Sequence, residues 1–128
     1  GEPGVGKSRL IHAAAQRLEV DTFVPAVGQG CVAVECRSDD RVTREVLAAV
    51  DHAATRREVE VERAFLAQLG SGCSLPVGGH VHDGTLHVFL ADADVGQSIV
   101  ATVALHGDGS DLERARRAAL GAQEALRR

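Results

Sequence analysis

The stretch Leu75–Leu105, LPVGGHVHDGTLHVFLADADVGQSIVATVAL, decides the fold of this chain. It holds three runs rich in Val, Leu, Ile and Thr, which read as strands over about Leu75–His82, Leu86–Ala93 and Gln97–Leu105. The separators are Asp83-Gly84 and Asp94-Val95-Gly96, both suited to tight hairpin turns. Consecutive hairpins make an antiparallel sheet, and Gly107-Asp108-Gly109-Ser110 closes it.

Helical patterns flank the strands. From about Arg56 to Leu69, the residues Val61, Phe65 and Leu69 recur every fourth position with Val59 and Leu66 beside them, so one face is expected to be buried. Gly70 and Gly72 end that helix, and Cys73 falls just past the stop, on a loop. A last helix is expected from near Asp111, with Leu112, Ala115, Ala119, Ala122 and Leu126 as its apolar stripe. Helix, three antiparallel strands, helix is a small α+β sandwich with its helices on one face of the sheet.

Upstream, Ser38-Asp39-Asp40 offers N-caps for a helix carrying Val42, Val46, Ala49 and Val50. Cys31–Cys36 has the β-branched, mostly apolar profile of a buried strand. Val20–Ala26 reads as extended and Val27–Gly30 as a turn. A glycine-rich loop, Gly1–Ser8, leads into a helical stretch to about Leu18, and the character of the sequence changes between Leu18 and Thr22. The expected organisation is a leader over residues 1–19, a strand-and-helix fragment over 20–52 and a domain over 53–128.

The 128 residues are 45% hydrophobic, with three Phe and no Trp, Tyr or Met, so any core must be built from Val, Leu, Ala and Ile. A formal net charge of -4 argues against nucleic acid as a partner, which normally meets a basic face. No apolar run approaches the roughly 20 residues needed to cross a bilayer, and no secretion signal opens the chain. Three cysteines are an odd number and do not suggest a disulfide framework; a cytoplasmic location is expected.

Three segments together resemble porphobilinogen deaminase (hydroxymethylbilane synthase). They are Pro25-Ala26-Val27-Gly28-Gln29-Gly30 with Val32–Arg37, then Val61-Glu62-Arg63-Ala64-Phe65-Leu66, then Gly72-Cys73-Ser74-Leu75-Pro76-Val77-Gly78. Order and spacing both match, and the likeness continues through Asp94-Val95-Gly96-Gln97-Ser98-Ile99 to the last helix. The resemblance implies that residues 53–128 are the family's C-terminal domain, with 20–52 a fragment of its N-terminal domain. It implies a covalent dipyrromethane cofactor held at Cys73 by a thioether. Deamination of porphobilinogen leaves an electrophilic methylene carbon, which a soft sulfur captures well, and the C–S bond resists hydrolysis. The helix end before Cys73 does not favour a thiolate, so attachment relies on the electrophile.

In this family the catalytic aspartate and most carboxylate-binding arginines come from the N-terminal domain, and nothing before Thr22 resembles those segments. The expectation is a carrier of the porphobilinogen-derived pyrrole chain in tetrapyrrole synthesis, inactive alone, with the N-terminal domains as partners. No catalytic residue is assigned within the chain.

Gly1-Glu2-Pro3-Gly4-Val5-Gly6-Lys7-Ser8 also satisfies the P-loop pattern at every position, with Gly6, Lys7 and Ser8 as candidate nucleotide contacts. Asp92, at the end of an apolar run, would then be the Mg²⁺ partner. A P-loop needs parallel strands with crossover helices, and no such alternation follows Leu18. The alternatives to the carrier are therefore a nucleotide-binding module and an inert fused or truncated fragment.

Weaker signals remain. His80 and His82 share one strand face with His87 on the neighbouring strand, but no carboxylate or thiolate is expected beside them, and no metal site is assigned. Arg56-Arg57 and Arg114, Arg116 and Arg117 could meet the pyrrole carboxylates, since guanidinium forks suit them, but solvated helix faces are expected for both. His52 and Thr55 are expected to cap or pack.

Overall fold

Each hairpin turn is set by backbone that only certain residues tolerate. At the first, Asp83 and Gly84 both have positive φ, 47° and 69°, the geometry of a two-residue type I′ turn. At the second, Gly96 takes φ 66° while Asp92 Oδ1 accepts from the amides of Asp94 at 2.9 Å and Val95 at 3.4 Å. The turns join β1 (Val77–His82), β2 (Thr85–Asp92) and β3 (Gln97–Ala104) in one antiparallel sheet of order β1-β2-β3. These observations come from a computed structural model, which describes residues 23–70 and 76–128.

The register sends Val77, Gly79 and Val81 to the same face as Leu90, Val88 and Leu86, their partners on β2. On β3 that face continues as Ile99, Ala101 and Val103. Two helices cover it: α2 (Ala53–Leu69) and α3 (Asp111–Leu126). Phe65, Leu86 and Val88 are the largest fully buried side chains, with Val61, Leu69, Val81, Leu90, Ala115, Ala119 and Ala122 around them. The alanine stripe of α3 has little side chain to interpose, so that helix can lie close against α2. The α+β architecture and the three strands agree with the sequence reading to within one or two residues at each end.

Helix boundaries follow local chemistry. At the start of α2, His52 Nδ1 accepts from the Thr55 amide at 3.3 Å, so these two residues do cap the helix. The helix ends at Gly70, left-handed at φ 65°, as expected of a glycine stop. Before it, α1 (Arg41–Ala48) is capped by Asp40, whose carboxylate accepts from the Thr43 amide at 3.0 Å and from its hydroxyl at 2.6 Å. These bonds hold the Asp40 carboxyl below its ordinary range.

Residues 31–36 depart from the expectation. They pair with no strand among the described residues and are mostly exposed, with Val32 at 93%. A strand is defined by a neighbour, and β-branched composition without one leaves the backbone outside any ladder. Val42 and Val46 of α1 and Val50 just after it are likewise exposed, while Leu47 is half-buried.

Residues 24–28 behave differently, because they wrap the outer edge of β1. The Gly79 amide donates to the Pro25 carbonyl at 2.9 Å. A β-carbon on Gly78 would stand 2.6 Å from the Val24 carbonyl oxygen; one on Gly79 would stand 2.9 Å from Val27 and 3.1 Å from Phe65. The glycine pair lets the segment close over both faces of the strand.

The next outward amide on that edge, Val81, donates to Glu62 Oε1 of α2 at 2.9 Å. Glu62 Oε1 also meets His80 Nδ1 at 3.0 Å, and its Oε2 accepts from the Gly28 amide at 2.7 Å. The residue is only 3% exposed. One carboxylate therefore joins α2, β1 and the wrapped segment.

Three outcomes are expected. Glu62→Gln keeps the shape but turns one acceptor into a donor facing other donors, so urea unfolding should show a loss of about 1–3 kcal/mol. Gly78→Ala should displace Val24–Pro25 from the edge, and amide exchange at Gly79 should accelerate more than at Val88. Because the Asp40 carboxyl is depressed in the folded state, its contribution to α1 is present at neutral pH and lost only as pH falls through that lowered value; the Thr43 amide shift should titrate there and not in Asp40→Ala.

Candidate functional site

Two fixed points bracket the five residues between Gly70 and Pro76. On the helix side, Gly70 donates its amide to the Ala67 carbonyl at 3.2 Å. The Leu69 carbonyl, one of those left without a partner at the end of α2, accepts from Gln123 Nε2 of α3 at 3.3 Å. On the strand side, the Ala91 amide donates to the Pro76 carbonyl at 3.0 Å, extending the β1–β2 ladder by one step. The α2–β1 connection thus leaves the domain from a helix end and a strand end that are both tied down.

Cys73 stands midway on this connection, outside the described residues. Chain length alone keeps its Cα within about 11 Å of both Gly70 and Pro76, since three residues span no more than that. A cavity of about 470 Å³ opens beside the two roots, bounded by Leu69, Pro76, Asp92, Asp94, Gln123 and Arg127. Leu90, Ala91 and Leu126 supply an apolar floor.

The other candidates lie elsewhere. Gly6, Lys7 and Ser8 fall outside the described residues. Asp92 ends a strand of a wholly antiparallel sheet and spends its carboxylate on its own turn, so the described fold gives it no P-loop partner strand. Cys31 is half-buried and Cys36 exposed, both as free thiols.

Arg56, Arg57, Arg116 and Arg117 are exposed, as expected, whereas Arg114 is half-buried and its Nε has no hydrogen-bond partner among the described residues. Arg56 Nε donates to Asp51 Oδ1 at 3.0 Å, and this pairing draws the Asp51 carboxyl below its ordinary range and raises the Arg56 guanidinium. Arg56 precedes Leu69 on one helix by thirteen residues, or about 20 Å along its axis. Arg116 and Arg117 pair with Glu113 on the exposed face of α3, and Arg114 Nη2 lies 3.2 Å from His106 Nδ1.

His80 lies directly opposite His87 in the register, and the rings of His80 and His82 stack with centroids 6.3 Å apart. The expectation that no carboxylate stands nearby is corrected by Glu62, which occupies His80 Nδ1. That contact belongs to the edge clasp. Among the described residues no group of three His, Cys, Asp or Glu side chains is arranged to hold a metal ion.

Two buried acids went without a role in the sequence reading. Asp111 is one: it accepts from the amides of His106 at 2.8 Å and Gly107 at 2.8 Å, fixing the loop that enters α3. Glu62 is the other, and a signal for it exists. It stands seven residues before Leu69, hence on the same helix face, and a charge placed within an apolar stripe calls for a partner.

Comparison with known proteins follows the same outline. The family model described as porphobilinogen deaminase, C-terminal domain, matches residues 56–127. The one described as porphobilinogen deaminase, dipyromethane cofactor binding domain, matches residues 2–45, so the likeness begins well before Thr22, where the sequence reading starts it. The porphobilinogen deaminase of Syntrophobacter fumaroxidans is 41% identical over 108 residues, 83% of this chain and 31% of its own length. That of Desulforudis audaxviator is 38% identical over 114 residues, 88% of this chain and 33% of its own. That of Nocardia farcinica is 40% identical over 116 residues, 87% of this chain and 31% of its own. The chain spans about a third of the length of these curated relatives. Its two-layer α+β domain, its sequence from Pro25 to the last helix and its matches to both family domains place it in the porphobilinogen deaminase family.

Proposed function

We propose that Cys73 is the attachment point of the dipyrromethane cofactor, through a thioether, and that this chain is the cofactor-bearing C-terminal part of a hydroxymethylbilane synthase. The whole enzyme joins four porphobilinogen units into hydroxymethylbilane with release of ammonia. When bound, the dipyrromethane supplies the pyrrole terminus on which the chain is extended.

The observation that carries this reading is the position of the cysteine. It stands at the middle of a short connection whose two roots are hydrogen-bonded to α3 and to β2. A thiol there is three residues from either root, close enough to the folded domain to keep a tethered chain beside it. The donor chemistry fits, since thiol sulfur forms a stable bond to an electrophilic methylene carbon and needs no base among the described residues to remain attached.

The same reading assigns the catalytic aspartate and most carboxylate-binding arginines to N-terminal domains acting as partner. Its support is the uncovered apolar surface of residues 31–50, where Val32, Val34, Val42, Val46 and Val50 are exposed. The reading divides the chain near residue 52, with residues 53–128 coinciding with the folded sheet and its two helices, while the family match over residues 2–45 runs across the boundary expected at 19/20. No helix among the described residues is long and apolar enough to cross a membrane. With Cys31 and Cys36 both free, the cytoplasm is the compartment we assign.

Intact mass tests the assignment. The chain is incubated with preuroporphyrinogen, or with porphobilinogen and an active deaminase, beside Cys73→Ala. A dipyrromethane-sized adduct on the chain and none on the variant is the expected result. An equal adduct on both would move the attachment elsewhere, and none on either would show that this chain does not accept the cofactor.

A further inference from the structure

We infer that the free edge of β3 pairs with the same edge of a second copy of this chain, joining two sheets into one of six strands. The two edges of the sheet differ. That of β1 is closed by Pro25 and Glu62, whereas β3 has a strand on one side only among the described residues. The Leu105 amide donates to the Gly84 carbonyl at 2.8 Å and extends the β2–β3 ladder. Ile99, Ala101 and Val103 therefore turn their backbone groups toward β2. Ser98, Val100, Thr102 and Ala104 turn theirs outward, where their amides find no acceptor among the described residues.

The strand has none of the features that keep an edge single. Gln97–Ala104 carries no charge, no proline and no bulge, and its eight residues extend about 27 Å. Its outward groups are also symmetric about Ala101. An antiparallel twofold through that residue pairs Ser98 with Ala104 and Val100 with Thr102 of the second copy, so all four are satisfied in each chain. Ile99 then faces Val103 of the second copy, and the facing pairs are largely β-branched.

The helix layer agrees. Because α3 packs over β2 and β3, the twofold sets two α3 helices side by side at about 10 Å, an ordinary packing distance. The flank of α3 on this side leaves room: Ala118 lines a cavity with Val103, and Gly121 and Ala125 follow at helical spacing. An edge about 27 Å long and about 20 Å deep buries about 500 Å² per copy, or about 1,000 Å² in all, the lower bound of a stable interface. Assembly stops at two, because pairing uses the open edge of each copy and leaves the Glu62-clasped edges outermost.

Sedimentation velocity of the full chain over ~5 to ~500 μM tests this, together with amide exchange at the outward positions. The expected result is a reversible monomer–dimer equilibrium. Protection at Ser98, Val100, Thr102 and Ala104 should rise with concentration while that at Val88 does not. Val100→Pro removes an outward amide and no ladder bond, and should leave the chain monomeric. Ala101 is exposed and lies on the axis, facing its own copy. Ala101→Lys and Ala101→Glu should each weaken association by about five-fold, and an equimolar mixture of the two should restore it. If Val100→Pro does not fold, the Ala101 pair decides alone. A chain that stays monomeric, an assembly larger than two, or a dimer indifferent to these substitutions would each overturn the inference. So would outward amides protected in the monomer, since another part of the chain would then cover the edge.

Discussion

The outer edge of β1 is where this structure is most exposed to failure, and the Glu62 carboxylate is what closes it. An antiparallel edge strand presents a row of unpaired amides, and an uncovered edge invites wrong partners. Here successive outward amides are taken by different means: Gly79 by the Pro25 carbonyl, Val81 by Glu62. The second oxygen of the same carboxylate secures the Gly28 amide, so the covering segment is held at both of its ends. A buried carboxylate with three donors is tolerable where the same group with none would be costly. Phe65 can sit fully buried beneath Gly79 because this clasp keeps Val27 above it.

From that edge inward the domain is simple. Aliphatic side chains of β1 and β2 meet α2, and α3 brings alanines that let the two helices approach. The convergence of their C-terminal ends then does two things with one geometry. It seals the core at Leu69 and Ala122, and it sets Gln123 beside the last carbonyl of α2. The connection carrying Cys73 springs from that junction. The chain belongs to the porphobilinogen deaminase family, and both ends of this connection are hydrogen-bonded to the domain.

The segment before the domain has a different status. Its helix α1 is well capped by Asp40 and shows clear spacing of valines, yet none of its residues is buried. Residues 31–36 have the composition of an inner strand and no ladder among the described residues. Amphipathic pattern and β-branched content state what a segment is able to bury. They do not supply the surface that buries it.

Several features were legible from residue order because their causes are local. Asp83-Gly84 tolerates two positive φ angles, Gly70 ends a helix, Asp40 and His52 cap one, and the spacing of Val61, Phe65 and Leu69 marks a buried face. Gly72-Cys73-Ser74 belongs to one of the three segments that together carry the family resemblance. What joins distant parts of the chain was not legible. Glu62 meets a backbone amide 34 residues before it and another 19 after it, Pro25 pairs with Gly79, and Gln123 finds Leu69 across 54 positions. Such contacts arise because packing brings unrelated segments within about 3 Å, a distance that no periodicity or local propensity encodes.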